Sequence, residues 1–109
     1  MSATYYQRGE AIDYKNTSAL LIKAGDVVSL NTRIGVAGCN IEPDATGSVH
    51  VTGVFLFPKA TTTAMAIGNA VEYDTATDSV IASTGSGLLA GWVIEPAATT
   101  DETVKIKIG

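Results

Sequence analysis

Turn-forming residues interrupt this chain so often that its apolar stretches stay short, and those stretches alternate or run continuously instead of following a helical period. Lys15 to Ser18, Ala24 to Asp26, Asn31 to Arg33, Glu42 to Gly47, Gly68-Asn69, Asp74 to Asp78, Thr84 to Gly87 and Pro96 to Glu102 hold most of the breaks. Their Gly, Asn, Asp, Pro and Ser supply turn conformations or bond to nearby backbone. This spacing predicts a mostly β fold, a single compact sandwich or small barrel of about eight or nine short strands. At most one short helix fits, near residues 60–66, where Ala and Met gather.

The most strand-like stretch is Gly47 to Lys59. Alternation puts Val49, Val51, Phe55 and Phe57 on one face, which must be buried. The opposite face begins wet with Ser48, His50 and Thr52 and ends covered at Val54 and Leu56. Pro58 stops the strand because it has no N–H to give to a ladder. A second run, Leu88 to Ile94, is almost continuously apolar, which predicts cover on both faces and a core position for Trp92. Thr103 to Ile108 alternates strictly, with Val104, Ile106 and Ile108 inward and Lys105 and Lys107 outward, where exposed lysines discourage edge pairing. Gly35 and Gly38 suggest a bulge or a close backbone approach.

An internal echo suggests duplication. Gly47 to Pro58 aligns without gaps on Gly85 to Pro96, and Gly25 to Leu30 resembles Gly68 to Tyr73.

Composition narrows the function. A length of 109 residues suits one domain. A net charge of -4 opposes a nucleic-acid partner. Cys39 is the single cysteine, so no internal disulfide or thiol pair exists. The first residues lack the pattern of a signal peptide, and no apolar run approaches the ~20 residues of a membrane span. A soluble protein made in a cytosol is the expectation.

Chemistry finds little footing. His50 is the only histidine, so a His-His metal site is impossible, and its place beside Ser48 and Thr52 reads as structural. Gly85 to Gly91 has the wrong spacing for a dinucleotide loop, and no P-loop exists. Asp74 and Asp78 bracket a turn without the ligand pattern of a calcium loop. Glu42 with Asp44, and Asp101 with Glu102, lack an apolar wall that would part their pKa values. No enzyme, cofactor, metal or small-molecule substrate is expected.

Residues 1–9 form an extended arm ahead of a β domain spanning 10–109. Tyr5, Tyr6, Gln7 and Arg8 are its candidate contact residues, since Tyr and Arg dominate interface hot spots and an arm without a folding period can order on a partner.

Taken in order, Gly9 to Tyr14, Ala24 to Val28, Ile34 to Ala37, Gly53 to Ala60, Gly68 to Asp74 and Leu89 to Gly91 resemble the small capsid cement, or head decoration, proteins of tailed phages and prophages. Some members carry a recombinase label, which a chain lacking a phosphate loop does not support. Asn69 stands where an Asp is common in the family pattern, and both suit a turn. The resemblance implies a non-enzymatic virion protein that binds the outer surface of an assembled icosahedral head as a homotrimer, bridging capsomers of the major capsid protein. It implies a capsid-binding role for Tyr5, Tyr6, Gln7 and Arg8. The alternative is a virion- or cell-surface β module that binds a receptor or a sugar, with Trp92 or a tyrosine as its platform.

Overall fold

The computed structural model describes residues 2–61, 63–85 and 87–109. Among the described residues nine strands form: β1 (Ala11–Lys15), β2 (Val27–Ser29), β3 (Ile34–Ala37), β4 (Thr46–His50), β5 (Gly53–Pro58), β6 (Ala70–Asp74), β7 (Ser79–Ala82), β8 (Leu88–Val93) and β9 (Thr103–Ile108). All pairings between them are antiparallel, in one sheet ordered β1-β4-β3-β2 and another ordered β5-β9-β8-β6-β7. This is the expected sandwich, with a trace of the barrel alternative. The larger sheet curls until Lys59 and Val80 form a parallel bridge between its two ends.

β3 is the strand on which the layers meet, and all four of its residues are buried. Ile34 and Val36 face the main core with Phe57, Val71, Val80, Val93, Val104, Ile106 and Ile108. Ala37 faces a smaller core with Val28, Ile41 and Val49, joined by Ile12, Tyr14 and Ile22. Loop residues Ile22, Ile41 and Ala45 therefore lid the smaller sheet, whose other face lies on the larger one. A Cβ on Gly35 would strike the Val49 side chain, so the glycine there serves the close approach expected of it.

Several expectations need correction. Gly47 to Lys59 is not one strand: it breaks at Val51-Thr52, and β4 and β5 belong to different sheets. Gly53, with φ of 129°, lets the chain cross between them. Val54 and Leu56 are exposed instead of covered, because none of the described residues forms a layer over the outer face of β5. β8 is covered on one face only, leaving Leu89 and Trp92 partly in solvent. β9 lies between β5 and β8, so Lys105 and Lys107 do not guard an edge, although Val104, Ile106 and Ile108 are buried as expected. No helix forms among the described residues. The stretch 60–67 is irregular, with Met65 bridged to Ala97; Thr62 lies outside the described residues.

The duplication exists in the topology, with a different correspondence. Removing β7 from the second sheet leaves β5-β9-β8-β6, the same path as β1-β4-β3-β2. The loops agree: Ile22 bridges Ile41 in the first unit as Met65 bridges Ala97 in the second. Gly25 donates to Ala37 O at 2.8 Å, and Gly68 donates to Val93 O at 2.8 Å. Gly25 and Gly68 share a φ near 90° and 87°, so the echo of Gly25 to Leu30 in Gly68 to Tyr73 is structural. The alignment of Gly47 to Pro58 on Gly85 to Pro96 is not, since the first spans β4 and β5 and the second contains β8. Ser86 lies outside the described residues.

Candidate functional site

Three surfaces carry groups that the domain itself does not use. The first is the arm. Residues 2–8 have no regular structure, and Tyr5 and Tyr6 are 83% and 90% exposed. Arg8 is exposed, and the Gln7 side-chain amide lies 3.5 Å from the carbonyl oxygen of Ala11. The four sequence-predicted contact residues thus lie together off the domain. Met1 lies outside the described residues.

The second surface is the edge of β1, the strand into which the arm runs. Val51 donates to Glu10 O at 3.0 Å and Asn16 donates to Ala45 O at 2.9 Å, bracketing a ladder in which Ile12 pairs with Val49 and Tyr14 with Gly47. In an antiparallel ladder, hydrogen-bonded and non-hydrogen-bonded pairs alternate. Glu10, Ile12, Tyr14 and Asn16 therefore spend their backbone groups on the β4 side, and Ala11, Asp13 and Lys15 point theirs to the outside. β1 ends the sheet order, so that outside is an open edge with no bulge or proline on it.

The third surface is apolar. Across the outer face of the larger sheet, Val54 stands opposite Lys107, Lys107 opposite Trp92, and Trp92 opposite Ala70, with Leu56 opposite Lys105 one step along. Val54, Leu56 and Trp92 are 53%, 63% and 42% exposed, which corrects the core position expected for Trp92. The row continues at Trp92 into a groove of about 520 Å³ between the sheets, lined by Ile12, Leu30, Ile34, Leu89 and Arg33 among others. Exposed apolar groups gathered like this mark contact surfaces. Lys105 is tied to Glu95 at 2.9 Å in an exposed ion pair.

The buried polar groups do structural work, and sequence reasoning missed three of them. Lys59 is 5% exposed; its Nζ donates to the carbonyls of Ala60, Thr99 and Asp101 at 2.7, 3.3 and 2.8 Å, pinning the loop before β9. Asn16 holds the matching loops of the first unit, donating to Leu20 O and Ile41 O at 2.8 and 2.9 Å. Glu72 accepts from Ser83 Oγ, Thr84 Oγ1 and the Gly85 amide at 3.1, 2.9 and 2.8 Å. Burial pushes its carboxyl upward, but hydrogen bonds from Thr84, Gly85, Ser83 and Gly87 outweigh that and hold it below the usual carboxylate value. These oxygens face donors of their own chain. Lys59 and Asn16 each stand just past the end of a strand, at the start of a loop that must be held down, which was the available signal; Glu72 is the middle residue of β6 and gave none.

Other candidates take the expected structural roles. Asp74 accepts from the Ala76 amide and the Thr77 hydroxyl, closing a turn. His50 is half-buried, with its ring 6.1 Å from that of Phe55. Among the described residues, no three His, Cys, Asp or Glu side chains converge as a metal site would require, and no helix is long and apolar enough to cross a membrane.

The family model of the phage cement proteins matches residues 6–108, nearly the whole chain. The chain belongs to that family. Its match takes in Tyr6, Gln7 and Arg8 of the arm together with every strand. A cement protein is a structural component of a phage head, so membership associates this chain with the capsid. No curated protein and no solved structure matches it.

Proposed function

We propose that this cement protein binds the outer surface of the assembled icosahedral head as a homotrimer at three-fold positions and stabilises it by bridging neighbouring capsomers. It acts without catalysis, after synthesis in the host cytoplasm. The observation that carries the proposal is the family match over residues 6–108, in a chain whose exposed contact groups find no use within its own domain. The division of labour is physical: the two-sheet body at 10–109 is the rigid part, and the arm at 1–9 is the part that orders on contact. Tyr5, Tyr6, Gln7 and Arg8 contact a neighbouring protein of the head, and Val54, Leu56 and Trp92 offer an apolar surface to the shell. Three copies joined into one unit would multiply weak contacts on a repeating surface through avidity. Co-sedimentation with expanded shells tests the proposal. The purified chain is expected to pellet with them in threefold stoichiometry per binding position, and a chain that stays in the supernatant contradicts it.

The exposure of Trp92 gives the sugar-binding alternative one foothold, since such a site needs an aromatic platform. The groove beside it argues the other way. Arg33 is the charged side chain in a lining otherwise made of apolar groups and glycine, too few polar groups to hold a saccharide's hydroxyls. Quenching of Trp92 fluorescence by saccharides would reverse this preference.

A further inference from the structure

We infer that the open edge of β1 is the docking site for the arm of a second copy, which adds to it as an antiparallel strand and links the copies head to tail. The inference rests on the arm being an intermolecular contact, as proposed above, and it names the partner.

Hydrogen-bond accounting gives the first reason. Asp13 and Lys15 turn both backbone groups away from β4, and a flat edge of this kind is a template for a further strand. The arm is extended, holds β-favouring Thr4, Tyr5 and Tyr6, and has an exposed backbone. In its own molecule the arm leaves this edge uncovered: residues 2–8 are exposed and form no strand beside β1.

Charge gives the second reason and selects the register. Ala11, Asp13 and Lys15 share one face of β1, while Ile12 and Tyr14 pack toward the smaller core. An antiparallel arm with Arg8 opposite Asp13 places Tyr6 opposite Lys15. The first is an opposite-charge cross-strand pair, and the second lays a cation on an aromatic ring. Among the described residues, Arg8, Asp13 and Lys15 have no ion-pair partner in their own chain. Both pairs fall at positions where the β1 backbone points outward, so side chains and main chain agree on one register. Each copy then gives one arm and receives one, a heterologous contact that closes into a ring when the rotation permits. Three copies close such a ring in the proposed trimer.

Sedimentation analysis of the purified full chain, in the absence of shells, tests this by charge exchange. Arg8→Asp and Asp13→Arg are each expected to shift the assembly to monomer, weakening it tenfold or more, and the double variant R8D/D13R to restore it. A chain lacking residues 2–8 should be a folded monomer whose thermal midpoint no longer rises with protein concentration, because the arm adds nothing to the core. In a Cys39→Ser background, R8C/D13C should yield interchain disulfides on oxidation. A wild-type chain that is monomeric at all concentrations, oligomers that survive arm deletion, or single variants not rescued by the double overturns the inference. Oligomers that survive arm deletion but no longer pellet with shells would make the arm a shell anchor, leaving the cement reading standing. Arm-dependent oligomers that never pellet with shells would uphold the inference and sink the cement reading.

Discussion

At Gly91 the backbone takes a φ of 152°, and a Cβ there would overlap the main-chain carbonyl of Lys107. The obstructing atoms are backbone of β9, which is paired on both sides, so they cannot swing aside as a side chain could. Gly91→Ala is therefore expected to lower stability by about 3 kcal/mol, read from urea unfolding, whereas substitution at the unobstructed Gly9 should cost little. Glu72 makes a different prediction. Its folded pKa lies below the unfolded value, so the stability it contributes is complete above about pH 4.3 and is lost as pH falls through the lower folded value. Glu72→Gln should be less stable than the natural chain at pH 7, with the gap narrowing as the pH falls through the lower folded value; a gap that does not change with pH would remove the charge from the account. The glycine of Leu89-Ala90-Gly91 is visible in the sequence. The carbonyl that requires it belongs to β9, and no local pattern names a partner in another strand.

Each of the two similar units secures its loops with one buried polar side chain. Lys59 does so before β9 and Asn16 before β4. Lys59→Met would leave carbonyls of Ala60, Thr99 and Asp101 without their donor, a loss of about 2–3 kcal/mol. Amide exchange should locate the damage: residues 97–102 are expected to lose protection while β8 and β9 keep theirs. Uniform loss over all strands would show that Lys59 supports the whole core instead. At this scale the sequence was a good guide to where strands lie and a poor one to what they touch. The alternation of Thr103 to Ile108 is that of a strand with one face in the core, and β9 has such a face. The run Leu88 to Ile94 looked covered on both sides because continuous apolarity does not distinguish a buried strand from one with an outward contact surface. Gly47 to Lys59 looked continuous because the crossing at Val51 to Gly53 needs one flexible residue and no turn cluster.

The whole molecule is flat, 40 by 38 by 22 Å, which accounts for a radius of gyration of 14.8 Å against the ~13 Å of a rounder chain of this length. One broad outer face carries Val54, Leu56 and Trp92 in solvent, a composition that costs solubility unless it is used. Replacing Val54 and Leu56 together by Glu should leave the thermal midpoint within a few degrees and abolish shell binding, since both side chains are more than half exposed; retained binding would shift the contact elsewhere on the surface. That face and the family were legible to different degrees. The order of turn and strand motifs over the chain pointed to cement proteins, while the contact surface depends on which strand faces lack a second layer.

The central claim is that this chain stands on the outside of a phage head. Cryo-microscopy of the parent virion addresses it directly. The account predicts density for three copies of the two-sheet domain at the three-fold positions of the outer surface, touching more than one capsomer. A mature head with bare three-fold positions, or with this chain inside the shell, would contradict it.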